Sequence, residues 1–265
     1  MVGLGLRNEH LQYILKNKPK VPLFELLADN YLLQNGIILQ QITELRKYYD
    51  NITLHCVNLS VGSTINKKYL AEIKKLANNL NISCISDHLC WSHTNNHYSH
   101  DLLPLPYTKE ALKLVIKNVD IIQNELSTQL LLENVSSYVL FNNNTMTEWQ
   151  FLNEVVEATN CGILLDINNI YINSINHNFD IKKYLTNISK KSVKQLHLAG
   201  HTQYANILVD THGEDICNNV WQLYKDSINY LGKIPTIIER DQNIPDFNNL
   251  YQEMLYAQNI MDTIL

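Results

Sequence analysis

"LLLENVS", residues 130–136, decides the reading of this chain. Three consecutive leucines suit a strand covered on both faces. The run then ends in Glu133, with no Lys or Arg beside it. The same design recurs on either side. "PLFELL" (22–27), "ITLHCV" (52–57), "SCISDHL" (83–89), "GILLDI" (162–167), "VKQLHLAG" (193–200) and "PTIIERD" (235–241) are short apolar runs that each carry a Glu, His or Asp. "VGLGL" (2–6) makes the eighth run. Continuous rather than alternating apolar residues are the mark of parallel strands buried on both faces.

Segments with helical spacing lie between these runs. In 67–80, Tyr69, Leu70, Ile73, Leu76, Ala77 and Leu80 share one face. In 108–126, Ala111, Leu112, Val115, Val119, Ile122 and Leu126 do the same. Thr147 with Gln150 forms a capping-box pattern ahead of a helix over 148–158. Asp180 can cap "IKKYLTNI", and Pro245 can open a last helix over 246–263. Residues 10–17 and 37–49 supply the first two helices. The polar strand ends from Glu25 through His55, His88, Glu133, Asp166 and His197 to Glu239 are 30 to 45 residues apart. A βα unit takes roughly thirty, so the longer gaps hold inserted loops. The pattern predicts an α/β fold, one (β/α)8 TIM barrel spanning residues 1–265. A doubly wound sheet is the alternative, but "GLGLRNEH" lacks the third glycine of its nucleotide fingerprint.

Composition narrows the function. The chain is 45% hydrophobic and 18% charged, with net charge −5. That charge gives no general attraction to nucleic acid or anionic membrane. No apolar run is long enough to span a bilayer, and "MVGLGLRNEH" lacks the pattern of a secretory signal. Five scattered cysteines without a C-x-x-C pair read as reduced thiols in a cytoplasm. Cys56, Cys84 and Cys90 read as structural, and "KNKPK" (16–20) as a solvated run.

In a barrel the strand C-termini open onto one face, where the active site sits. His55, His88, Glu133, Asp166, His197 and Glu239 fall at or near those ends. Loops just beyond add Asn134, Asn169, His201, Asp210 and His212. So many carboxylates and imidazoles in one place need positive charge among them. Arg7 and Arg240 are too few, and a cluster of divalent metals fits better. Imidazole and carboxylate without thiolate suit zinc, iron or manganese. The residue count exceeds one metal's needs, so two or three ions are expected, with Glu133 as the bridging carboxylate. Any one of these residues alone reads as a hydrogen-bonded core histidine or a turn-forming Asp. Six strand ends alike do not. His10, His93, His97 and His177 read as surface or loop residues. His100, in "HDLLPLPYT", lies in a loop long enough to cover the site.

"VGLGLR", "FELLADNY", "SDHLCWS", "HDLLPLPYT", "LLENVS", "LLDINN", "HLAGH", "VDTH" and "IERD" together resemble the motif set of the multinuclear non-haem iron-dependent oxidative enzymes, the family of the methanobactin biosynthesis iron enzyme. The resemblance runs from residue 2 to about residue 257. One departure is "LHCVNLSVGS", where the family pattern has glycine at Cys56 and often at Asn58. The resemblance implies two or three iron ions and oxidation, with dioxygen, of a ribosomally synthesised precursor peptide, typically at cysteine. It also implies a separate partner protein that presents the peptide. A broader similarity to trinuclear barrels such as endonuclease IV implies the ligand sets. His55, His88 and Glu133 would hold one ion, and Glu133, Asp166, His197 and Glu239 a second. Asn169, Asp210 and His212 would hold a third. Histidine stands at the Asn169 position in the nuclease pattern, and an amide oxygen is the weaker ligand. Glu133, Asp166 and Glu239 are then the carboxylates of the reacting centre. Asn134, Asn168, His201, Arg240 and Asp241 stand behind them or toward substrate. Three rival functions follow from the same residues. A trinuclear zinc phosphodiesterase is one, opposed by the negative charge and the scarcity of Lys/Arg-rich segments. A sugar isomerase is another. A metal-dependent scaffold that binds peptide through "NNHYSHDLLPLPYT" (95–108) is the third.

Overall fold

The computed structural model describes residues 1–32, 36–94 and 97–264. Eight parallel strands close into a barrel: β1 (Val2–Leu6), β2 (Phe24–Leu27), β3 (Ile52–His55), β4 (Ile85–His88), β7 (Leu130–Glu133), β8 (Gly162–Asp166), β9 (Val193–Leu198) and β12 (Thr236–Ile238). Their order around the barrel follows the chain, and β1 closes the ring against both β12 and β2. Each strand lies inside one of the eight apolar runs. Leu4, Phe24, Leu54, Ile85, Leu132, Ile163, Leu196 and Ile238 are buried and belong to one continuous core.

Among the described residues ten helices accompany the strands: α1 (Asn8–Asn17), α2 (Asp29–Leu32), α3 (Ile37–Arg46), α4 (Lys67–Leu80), α5 (Lys109–Leu126), α6 (Glu148–Thr159), α7 (Ile167–His177), α8 (Ile181–Asn187), α9 (Asn218–Leu231) and α10 (Phe247–Asp262). The predicted apolar faces of α4 and α5 are the buried ones, apart from the half-buried Tyr69 and Ala111. Thr147 and Gln150 form the capping box at α6, and the Asp180 side chain accepts from the Lys182 N–H at 2.9 Å. Pro245 stands one residue outside the last helix, whose cap is Asp246. It serves instead as a lid on His10, whose Nε2 lies 2.8 Å from the Pro245 carbonyl oxygen.

The long gaps hold two antiparallel hairpins. β5 (Trp91–Thr94) pairs with β6 (His97–Leu103) after β4, and β10 (Thr202–Tyr204) pairs with β11 (Ile207–Val209) after β9. Both follow strand C-termini, so both stand on the mouth side. The first two residues of the 95–108 segment, Asn95 and Asn96, lie outside the described residues. Two histidines read as surface groups are buried. His10 packs edge-on against Phe247, and His93, on β5 itself, is buried with Nδ1 3.4 Å from Ser63 Oγ. His97 and His100 are exposed, and His177 is half-buried. Among the described residues no helix is long and apolar enough to cross a membrane.

Candidate metal centre

Strand register brings the polar ends together. His88 pairs with Glu133 across β4 and β7, and Asp166 with His197 across β8 and β9. Glu133 occupies the middle. Its Oε2 lies 3.4 Å from the Nε2 atoms of both His55 and His88. Its Oε1 lies 3.4 Å from His197 Nδ1. Ligand atoms of His55, His88 and Glu133 fall within 4.8 Å of one another, as do those of Glu133, Asp166, His197 and Glu239. The two groups share Glu133.

The donor atoms face the site without partners. Glu133 Oε2, Asp166 Oδ2, Asn169 Oδ1, His197 Nδ1 and His212 Nε2 are buried and make no hydrogen bond. Buried polar atoms are otherwise almost always satisfied. Five orphans converging on one space are what a cation-binding centre requires. Their opposite atoms, by contrast, are held. His55 Nδ1 is 2.8 Å from Ser86 Oγ, and His197 Nε2 is 2.6 Å from Glu25 Oε1. Asp166 Oδ1 accepts from the Asn169 N–H at 2.6 Å and so caps α7, leaving Oδ2 free. Asn169 Nδ2 donates to the Asn134 carbonyl at 3.0 Å, which turns Oδ1 inward. Asn134 itself brackets Asp166: Nδ2 donates to its carbonyl and Oδ1 accepts from its N–H. This is the backing that metal-ligating residues carry.

His212 offers two groupings. Its Nδ1 lies 3.0 Å from Asp241 Oδ2 and 3.5 Å from Glu239 Oε2, a set whose atoms also fall within 4.8 Å. That Nδ1 is hydrogen-bonded to Asp241. The Nε2 is unpartnered and lies 2.7 Å from Asp210 Oδ1. The free nitrogen therefore faces Asp210, with Asn169 lining the same cavity, and Asp241 orients the ring from the other side. Farther back, His201 Nδ1 lies 2.8 Å from Asn168 Oδ1, and Asn168 Nδ2 donates to Asp210 at 3.0 Å. Arg240 turns away from the cavity, with Nη2 2.9 Å from Asp215 and 3.4 Å from Glu253. The residue that serves the site from that side is Arg7. It donates to Asp241, lies 3.8 Å from Glu239, and donates through Nε to the Arg240 carbonyl at 2.6 Å.

Protonation follows from this crowding. Burial and the neighbouring His88 drive His55 well below its ordinary pKa. Burial opposes charge on His88 too, but Glu133 and Asp87 outweigh it and lift that ring to about 9. His197 and His212 also rise against burial, His197 beside Glu239, Glu25 and Glu133, His212 beside Asp210 and Asp241. Burial, then Glu133 and Asp210, push Asp166 well above the carboxylate range. Protons thus stand in for positive charge that the ligand set calls for. No cysteine belongs to any of the groups. Cys56 and Cys90 are buried, and that burial together with Asp87 pushes both thiols up.

Above these side chains lies a cavity of about 250 Å³, walled by Asp101 and Leu102 of β6, Ser136 and Tyr138 after β7, and Thr211 and Gln242. A closed parallel barrel whose mouth gathers nitrogen and oxygen donors has the architecture of a barrel enzyme, with candidate metal-binding groups at its mouth. Residues 1–262 match the family of RiPP precursor modification enzymes MbnB/TglH/ChrH, and the chain belongs to that family. It is 41% identical over 261 residues to a UPF0276 protein of Acaryochloris marina, covering 98% of this chain and 94% of that one. It is 42% identical over 259 residues to a UPF0276 protein of Caulobacter vibrioides, covering 97% and 92%. Solved barrels share the fold at low identity. A D-psicose 3-epimerase from Clostridium cellulolyticum aligns at TM-score 0.62 with 12% identity, over 100% of this chain and 99% of that one. An IOLI protein with a binding zinc atom aligns at TM-score 0.59 with 14% identity, over 100% and 99%.

Proposed function

We propose that this chain oxidises a cysteine of a ribosomally made precursor peptide, using dioxygen and two or three iron ions at the barrel mouth. The observation that carries the reading is Glu133, whose two oxygens face two different nitrogen-bearing groups at 3.4 Å. A carboxylate so placed suits a bridge between two cations. Family membership supplies the peptide. A donor set of imidazole, carboxylate and amide without thiolate suits iron, with zinc or manganese as competitors.

In this reading His55, His88 and Glu133 hold one ion, and Glu133, Asp166, His197 and Glu239 a second. Asn169, Asp210 and His212 hold a third, more weakly. Iron held by these residues would supply one-electron exchange with dioxygen. The side chains do the positioning. Ser86 and Glu25 occupy the far nitrogens of His55 and His197, fixing which ring atom each presents. Arg7 offsets the charge of Glu239 and Asp241. The cavity of about 250 Å³ suits one side chain with its adjoining backbone. A partner protein that presents the peptide, and a cytoplasmic setting, belong to the same reading.

Elemental analysis of protein purified without oxygen, with an electron paramagnetic resonance spectrum of the same sample, tests it. Two or three irons per chain with a mixed-valent signal are expected. Stoichiometric zinc without iron, even from iron-rich medium, would overturn the iron assignment in favour of metal-assisted hydrolysis.

A further inference from the structure

A second cavity, also of about 250 Å³, lies beside α6, α7 and α8. Its lining includes Tyr107, Glu148, Trp149, His177, Phe179 and Tyr184. Glu148 is only 9% exposed, and no Lys or Arg among the described residues pairs with it. Tyr107 Oη donates to its Oε1 at 2.8 Å. Tyr184, 1% exposed, lines the same space with its hydroxyl beside Glu148, but the hydroxyl makes no hydrogen bond of normal geometry. Aromatic rings complete the wall: Trp149 and Tyr184 have centroids 5.3 Å apart, Phe179 and Tyr184 6.0 Å. His177 Nε2 is taken up by Ser137 Oγ at 2.7 Å, and burial keeps that ring below its ordinary pKa. The cavity therefore combines a carboxyl, an unsatisfied hydroxyl and ring faces, and it lacks a cation.

This cavity shares a wall with the metal centre. Ser136 and Tyr138 line the metal cavity, while Ser137 and Leu140 line this one. Successive Cα atoms are about 3.8 Å apart, so the partition is one chain thick. Tyr138, Val139 and Leu140 on its crest are 46%, 58% and 56% exposed. An extended peptide lying across this crest can reach both cavities at once.

We propose that the second cavity is a subsite for a basic side chain, ammonium or guanidinium, of the peptide whose reacting residue enters the metal centre. A cation over the ring faces meets their negative quadrupoles and pairs with the Glu148 carboxylate, while its N–H groups satisfy acceptors now bare. The buried carboxyl, pushed up to about 7 by burial, gains the partner that lets it ionise. That the side chain belongs to a peptide rests on the proposed function. That the cavity takes a cation does not.

The test uses the full-length protein and two probes, N-acetyl-lysine N-methylamide and its neutral norleucine counterpart, followed by tryptophan emission through Trp149. The lysine probe is expected to bind saturably, and the norleucine probe about tenfold more weakly. Glu148→Gln keeps the shape and loses about tenfold in affinity for lysine, with its metal content unchanged. Tyr184→Phe, which keeps the ring, weakens the lysine probe as well and serves if Glu148→Gln fails to fold. No saturable response in the wild type, equal binding of the two probes, or full affinity in the variants would overturn the subsite. Because the probes need no metal, a protein that binds lysine yet holds no iron would refute the oxidative reading and leave the cation site standing.

Discussion

Glu133 is the residue on which the two main donor groups depend. Glu133→Ala is expected to lose metal from both groups and to abolish turnover, read as metal per chain after desalting. A variant with full iron and full activity would refute the bridge. Behind it, Glu25 is expected to act without touching metal. Glu25→Gln should weaken metal retention about 10- to 100-fold through His197, measured by chelator competition. Glu25 shows how far a sequence can be read. It stands near a strand end like the others, but register pairs it with Thr53, two residues below His55. Two residues along a strand keep the side chain on the same face and drop it one layer deeper. Periodicity cannot distinguish the mouth layer from the layer beneath. Arg240 is a different case: it neighbours Glu239 in sequence just beyond the end of β12, and its partners Asp215 and Glu253, far away in the chain, turn it from the cavity.

The eight strands were legible because burial on both faces leaves an unbroken apolar run. Helix α7 was not. "INNIYINSINH" is rich in Asn and β-branched residues with poor helix propensity. Asp166 capping and burial of Ile167, Ile170 and Ile172 override that preference. The hairpins were legible only as spare length, since their exposed strands carry no core pattern. Gly200, in "HLAGH", marks where these connections touch the site. A Cβ there would overlap the Glu214 carbonyl, in the loop that follows His212. Gly200→Ala is therefore expected to cost about 1–3 kcal/mol in urea unfolding. It should release metal from the His212 group before the Glu133 groups. Equal loss from all groups would show that the loop does not position His212 separately.

For the molecule as a whole, Glu148 ties stability to pH. Its carboxyl titrates at about 7 when folded, above its ordinary 4.5. A raised carboxyl pKa gives stability that is fully present below pH 4.5 and is lost as pH climbs through about 7. Glu148→Gln should match the wild type near pH 5 and exceed it at pH 8 by about 1–3 kcal/mol in denaturant unfolding. A variant less stable at both pH values would show the carboxylate to be a structural prop. The closed barrel also separates two kinds of change. The donors His55, His88, Glu133, Asp166 and His197 sit on strands locked by register, while Asp210 and His212 follow β11 and β6 contributes only outer wall. The β5–β6 hairpin can lengthen, shorten or exchange side chains without moving a donor. A lineage of such proteins can therefore diverge in the peptides it accepts while inheriting one unaltered reaction centre, and chimaeras that trade this hairpin between relatives should trade substrate range with it.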